Sequence, residues 1–244
     1  MESQHKNKKS KYSILRSTDE VNYDISSLKA EKIFRVTKIR DLTESTYILQ
    51  FERNGIKFIP GQHITLGLPG DNQIREYSVY SPTGIPYFEV LIKEIDEGLV
   101  SQKLHRVKEG DTLKFDGPFG FFTLDENILK KQKYLFIATG TGIAPFHSMT
   151  GSYPELNYKI LHGVRFVHEA YEKGHYPEDR YVLCTSRDTK GDFHGRVTDY
   201  LSFYGVDSDT LVYLCGNCDM IYEVYDLLIS CGFNADHIKT EVYF

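Results

Sequence analysis

Three short stretches of the chain combine residue types and spacings that suit chemistry. The first is Ala138-Thr139-Gly140-Thr141-Gly142-Ile143-Ala144-Pro145, which directly follows a run of strand-forming residues. Gly140 and Gly142 let the backbone turn tightly and approach a ligand closely. Pro145 suits the first turn of a following helix, where its missing N–H costs nothing. A helix start there presents free N–H groups and a positive dipole end, so Gly140, Thr141 and Gly142 read as a phosphate-binding turn. The pattern is neither G-x-G-x-x-G nor a Walker loop, and alone it equally suits a strand-to-helix turn with no ligand. The second stretch is Arg75-Glu76-Tyr77-Ser78. On a strand it points Arg75 and Tyr77 to one face and Glu76 and Ser78 to the other. The third is Cys215-Gly216-Asn217-Cys218-Asp219-Met220. Its C-x-x-C spacing invites a dithiol reading, but the flanking pattern is not that of a thioredoxin. A zinc site would need a second ligand pair, and Cys184 and Cys231 are not spaced as one, so no metal is expected. His105, His147 and His162 show no triad spacing and read as satisfied structural histidines.

Two kinds of element must position these stretches. Short segments rich in Ile, Val, Tyr, Phe and Thr, at 32–39, 46–51, 62–68, 76–80, 87–95 and 112–116, alternate with turn signals such as Asn54-Gly55 and Pro69-Gly70. They predict a closed antiparallel β-barrel, interrupted by one helical turn near 100–106. After a polar linker at 125–132 the rhythm changes. Buried-type strands at 134–138, 159–163, 181–185 and 210–215 alternate with helical segments at 143–150, 167–172, 196–203 and 220–230. That alternation predicts a doubly wound α/β parallel sheet. Arg165, Ser186, Arg187 and Arg196 then fall near the carboxyl edge of the sheet, where such folds bind ligands. The expected organisation is a flexible tail at 1–29, a barrel domain at 30–128 and an α/β domain at 129–244.

Composition narrows the function. The net charge of −5 argues against nucleic acid as the main partner. No apolar run approaches the roughly 20 residues of a membrane span. The basic start at Lys6, Lys8, Lys9 and Lys11 is followed by no apolar core of a signal peptide, and the cysteines are too few for a secreted disulfide framework. A cytoplasmic location is expected.

The three stretches together resemble the ferredoxin–NADP reductase family, in that family's order and spacing, over roughly residues 30–244. The resemblance implies a FAD-binding barrel and an NADP-binding α/β domain. It implies that Arg75 pairs with the flavin pyrophosphate, a task suited to a fork of donors. Tyr77 would pack on the isoalloxazine and Ser78 would sit near flavin N5. The stretch Gly98-Leu99-Val100-Ser101 is similar to the family's second flavin segment, with Gly98, Val100 and the Ser101 hydroxyl at the pyrophosphate. The family usually has a second glycine where this chain has Glu97. Thr141 would touch flavin as well as nucleotide, and Gly140, Gly142, Gly216 and Met220 would hold the nucleotide.

Similar Ser-Arg and Arg positions in bacterial members hold the 2′-phosphate, so Ser186, Arg165, Arg187 and Arg196 are expected to favour NADPH over NADH. Asp188 beside Arg187 argues the other way, and surface ion pairs are the alternative reading of these arginines. Cys215 would lie near the nicotinamide and Glu241 near the hydride path, making Ser78, Cys215 and Glu241 the catalytic set. Plant-type members end in Glu-Val-Tyr; this chain ends Glu241-Val242-Tyr243-Phe244. Tyr243 or Phe244 would stack on the isoalloxazine, the alternative being a terminal strand with its aromatics in the core. The implied reaction takes a hydride from NADPH to FAD and single electrons to a separate ferredoxin or flavodoxin. The alternative is the reductase component of an oxygenase or another electron-transfer chain.

Overall fold

A computed structural model of the chain describes residues 32–95 and 98–243. The expected tail at 1–29, Glu97 and Phe244 lie outside the described residues. The first half forms six antiparallel strands: β1 (Lys32–Thr43), β2 (Thr46–Glu52), β3 (His63–Gly67), β4 (Ile74–Ser78), β5 (Tyr87–Lys93) and β6 (Thr112–Phe119). Their order is β4-β3-β6-β1-β2-β5. A bridge between Val79 and Val90 joins the two edges and closes the barrel. Closure removes the open edges of an antiparallel sheet.

The barrel interior is filled by rings. Phe34, Phe51, Phe88 and Phe115 come from four different strands and are fully or nearly fully buried. Phe34 and Phe115 lie 4.5 Å apart at their centroids, and Phe88 and Phe115 lie 5.6 Å apart. Alternation along each strand sends these side chains inward, and each buried ring contributes a few kcal/mol. Helix α1 (Leu99–His105) covers one end with Val100 and Leu104, and the Tyr47 hydroxyl donates to Ser101 O at 2.7 Å.

The second half is a parallel sheet of β7 (Lys133–Thr139), β8 (Asn157–Val164), β9 (Tyr181–Thr185), β10 (Phe193–His194), β11 (Thr210–Asn217) and β12 (Ile238–Tyr243), in the order β10-β9-β8-β7-β11-β12. The helices are α2 (Ala144–Ser152), α3 (Val197–Tyr204) and α4 (Cys218–Ser230). Along β7, Tyr134, Phe136 and Ala138 face one core, and Leu135 and Ile137 face the other. The first core also holds Ile48, Tyr80 and Leu91 from the barrel's outer wall, so the barrel is packed against one face of the sheet. The second lies under α3 and α4 and holds Val197, Leu201 and Val224. A strand buried on both faces reads as a continuous apolar run, as Tyr134-Leu135-Phe136-Ile137-Ala138 does.

The structure departs from the sequence pattern in two places. The helix expected at 167–172 is a single 3-10 turn, Val167–Glu169. There the Glu169 carboxylate accepts the backbone N–H groups of Arg165 and Phe166, and the chain leaves the turn through Glu172 at φ +49°. The two-residue β10 was not expected, and β12 is the terminal strand that stood as the alternative reading of the chain's end. Both lie at edges of the sheet, and β12 pairs with β11 some 26 residues earlier, which local pattern does not report. Among the described residues no helix is long and apolar enough to cross a membrane.

Candidate active site

Strands β8 and β9 extend the sheet to one side of β7, and β11 and β12 extend it to the other. A crevice therefore opens above the carboxyl ends of β7 and β11, the place where open α/β sheets bind ligands. Strand β4 of the barrel forms the opposite wall. The cleft between them measures about 1220 Å³. It exceeds the usual 300–1,000 Å³ of a small-molecule pocket and is long enough for a dinucleotide.

Two turns shape its floor. Gly140 has φ +53°, and open space lies where a Cβ would stand. The 3-10 turn Gly140–Ile143 has no acidic residue, and its Thr139 cap makes no side-chain bond to the turn. Thr139 Oγ1 instead accepts the Asn217 N–H at 2.9 Å, tying the turn after β7 to the end of β11. That close approach requires Gly216, at φ +129°, because a Cβ there would meet Thr139 Oγ1 at 2.4 Å. Gly142 has a packing role: a Cβ would stand 2.3 Å from the Cys215 carbonyl oxygen. Asn217 caps α4, accepting the N–H groups of Asp219 at 2.9 Å and Met220 at 3.3 Å.

The centre of the cleft holds a chain of hydrogen bonds between barrel and sheet. Tyr243 Oη donates to Ser78 Oγ at 2.7 Å, and Ser78 Oγ donates to Glu241 Oε1 at 2.7 Å. Cys215 is hydrogen-bonded to Tyr243 from behind. Register brings the last three together, since Cys215 is the parallel partner of Glu241 on β12. Burial pushes the Glu241 carboxyl up, against the opposing effects of the Ser78 bond and of His63. Burial likewise raises the Cys215 thiol and the Tyr243 phenol. The cluster therefore favours protonated, uncharged groups.

On the barrel side Arg75 is exposed, and among the described residues one arm of its fork is engaged, to Ile74 O at 2.9 Å. Tyr77 is half-buried against the barrel core and lines the cleft. Gly98 and Val100 also line it, but the Ser101 hydroxyl is committed to its own loop, donating to Gly98 O and accepting the Ile95 N–H. On the sheet side Thr141, Arg165, Ser186, Arg196, Gly216 and Met220 line the cleft. Arg165 is held by Glu169 at 2.6 Å, and Arg196 faces Glu223 at 3.4 Å. Arg187 and Asp188 do not line the cleft; Asp188 accepts the N–H groups of Val167 and Lys190. Cys215 is fully buried and is not among the residues that line the cleft; its neighbour Tyr243 is.

These features accord with known proteins. Residues 33–124 match the oxidoreductase FAD-binding domain family. Ferredoxin–NADP reductase B of Sorangium cellulosum is 32% identical over 239 residues, covering 86% of this chain and 96% of that protein. The chain belongs to the ferredoxin–NADP reductase family. It is an FAD-dependent oxidoreductase. The reductase is also 31% identical to the toluate 1,2-dioxygenase electron transfer component of Pseudomonas putida, covering 85% of this chain and 66% of that one. Its fold matches a Neisseria gonorrhoeae ferredoxin NADP+ reductase crystallised with FAD and NADP, at TM-score 0.80 and 22% identity, over 88% of this chain and 100% of that one.

The residues present fit these cofactors. The cleft offers aromatic walls at Tyr77 and Tyr243, an exposed guanidinium at Arg75 and a floor turn with open space at Gly140. Sequence reasoning passed over Lys93, and it read His162 as a satisfied structural histidine, as the structure shows it to be. Lys93, the last residue of β5, lines the cleft, and burial beside Arg165 lowers its ammonium. Fully buried His162 donates from Nε2 to Gly140 O at 2.8 Å and accepts from the Tyr181 hydroxyl at 2.6 Å. Burial pushes its imidazole down to about 4. The signal for His162 was its strand position, which pairs it with Ala138 at the foot of the turn.

Proposed function

We propose that this reductase takes a hydride from NADPH and delivers single electrons to a separate ferredoxin- or flavodoxin-type carrier, in the cytoplasm. The carrying observation is the Tyr243–Ser78–Glu241 chain, which joins barrel and sheet at the crevice where the two cofactors must meet. Residues 30–128 then serve FAD and 129–244 serve the nicotinamide nucleotide. The four free cysteines suit a reducing compartment.

Bound FAD supplies the redox chemistry, accepting a hydride and releasing electrons one at a time. Arg75 would hold the pyrophosphate with its guanidinium, and Tyr77 would give the flavin an apolar wall. Ser78 is oriented by two hydrogen bonds, so its oxygen is held at a fixed point on the cleft wall. Burial keeps a proton on Glu241 to higher pH than an ordinary carboxyl would hold it. The Tyr243 ring would stand at the flavin face where nicotinamide enters, between it and Cys215. Thr141 and Gly140 would receive nucleotide phosphate at the turn. Asp188 is occupied by backbone N–H groups away from the cleft, while Ser186 and Arg196 line it, which supports the phosphorylated cofactor.

Stopped-flow reduction of the purified yellow protein by NADPH and by NADH is the direct test. Reduction at least tenfold faster by NADPH is expected. A protein that takes up no FAD would sink the assignment, and faster reduction by NADH would reverse the nucleotide preference. The 31% identity to the toluate dioxygenase component favours one second reading, in which the acceptor is an oxygenase system. Turnover with purified ferredoxins and flavodoxins against an oxygenase component separates the two.

A further inference from the structure

Outside the residues that line the cleft, against Tyr80, lies a second cluster that the reductase reaction does not use. His147 projects from α2, and Glu172 and His175 come from the segment between β8 and β9. Single ligand atoms of all three lie within 4.8 Å of one another. His147 Nε2 stands 3.1 Å from His175 Nδ1, and His175 Nδ1 stands 3.6 Å from Glu172 Oε2. Ligand atoms arranged tetrahedrally around zinc, at bonds of about 2.0–2.1 Å, stand about 3.3 Å apart. The two measured edges bracket that spacing.

The surroundings prepare each ligand. His147 Nδ1 donates to the Tyr80 carbonyl oxygen at 2.8 Å, so the lone pair of Nε2 faces the cluster. Its ring is stacked on the Tyr80 ring, 3.8 Å between centroids and 4° from parallel. An imidazole whose second nitrogen donates to a backbone carbonyl is the usual support of a metal-ligating histidine. Glu172 Oε2 accepts the Tyr80 hydroxyl at 2.5 Å, and Oε1 is engaged by Arg40. Glu172 adopts φ +49° and ψ +36°, a conformation costing about 1–2 kcal/mol that places its carboxylate beside the two rings. Without an ion, only one proton can occupy the gap between the two imidazole nitrogens. An ion accepts both lone pairs at once.

We propose that His147, Glu172 and His175 bind a single divalent transition-metal ion of the zinc class. Two imidazole nitrogens and one carboxylate oxygen suit zinc, and cobalt as its substitute, better than magnesium or calcium, which take oxygen ligands. His175 is the exposed member and lies on the entry side, where water completes the coordination. Because Arg40 belongs to β1 and Tyr80 follows β4, the ion clamps the segment after β8 to α2 and, through the second ring of contacts, to the barrel wall. Binding releases the proton shared between the imidazoles.

The test titrates the flavin-loaded protein with zinc chloride in a non-chelating buffer, beside His175→Ala. Cobalt chloride gives an optical readout. One equivalent of zinc should bind, raise the melting temperature, and bind at least tenfold more weakly in His175→Ala. Cobalt should give visible d–d bands without thiolate charge-transfer absorption. Absence of saturable binding overturns the proposal. So does equal affinity in His175→Ala, or thiolate absorption, which would place the ion on a cysteine. Glu172→Gln, tested the same way, should also weaken zinc binding at least tenfold; unchanged affinity would remove the carboxylate from the site.

Discussion

Ser78 and Tyr80 sit two residues apart where the barrel wall meets the sheet, and each holds a half-buried glutamate in an opposite electrostatic state. Ser78 offers Glu241 a neutral hydroxyl, and burial prevails, so the Glu241 carboxyl is shifted up. Burial also opposes the charge on Glu172, but there the Tyr80 hydroxyl and the Arg40 guanidinium together outweigh it, and the carboxyl is shifted down. One wall of the molecule thus carries a site that keeps protons and a site that keeps charge. The deciding difference is a single cation. A hydroxyl solvates a carboxylate weakly, whereas a guanidinium adds both hydrogen bonds and Coulomb attraction. Glu241 lines the cleft, and Glu172 is not among its lining residues.

The largest effect expected from breaking this contrast falls on rate. Ser78→Ala removes the link between Tyr243 and Glu241 and should slow flavin reduction about 100-fold, or ~2.7 kcal/mol. Stopped-flow absorbance measures it, and a rate within threefold of wild type would show that the link is only structural. Next come two isosteric exchanges with opposite signs. Glu172→Gln strands Arg40 and should cost about 2 kcal/mol of stability, less than a fully buried pair because Arg40 is partly exposed. Glu241→Gln removes a disfavoured buried charge and should leave stability at pH 8 unchanged or raise it by up to ~1 kcal/mol. Urea midpoints at constant slope measure both, and shifts of the same sign would break the comparison.

The last effect is a pH dependence. His162 titrates near 4 in the folded protein and near 6.5 in the unfolded chain. On acidification the unfolded chain takes up the proton first, so stability is lost as pH falls below about 6.5 toward 4. Between pH 8 and 5.5 the loss is ~1.4 kcal/mol. His105 acts in the opposite sense: burial lowers its imidazole, but the bonds from Asp41 and Glu94 outweigh that and raise it. The measurement is therefore a difference: His162→Gln should lose acid sensitivity relative to wild type. Parallel pH profiles for the two proteins would remove His162 from this account.

Much of the molecule was readable along the chain because its signals are local. Gly140-Thr141-Gly142 announced a turn, and the structure ties it to the end of β11 through Thr139. Tyr134-Leu135-Phe136-Ile137-Ala138 announced a strand buried on both faces, and it became the central β7. Other features depended on partners remote in sequence. Strand β12 exists because β11 offers it an edge, and the helix expected at 167–172 gave way to one turn around the Glu169 carboxylate. The arginines were placed correctly near the sheet edge, but their state was not readable. Arg165 is held by Glu169 and Arg187 stands off the cleft.

Residue types and spacing determined the barrel, the parallel sheet, the glycine turn after β7 and the family, since turns, alternation and motifs are written within a few residues of one another. Protonation, pairing and the second cluster were decided only when the chain closed. Ser78 meets Glu241 across 163 residues, and Arg40 meets Glu172 across 132. Whether a buried carboxyl keeps its proton depends on what folding brings within about 3 Å of it, and no local pattern carries that distance.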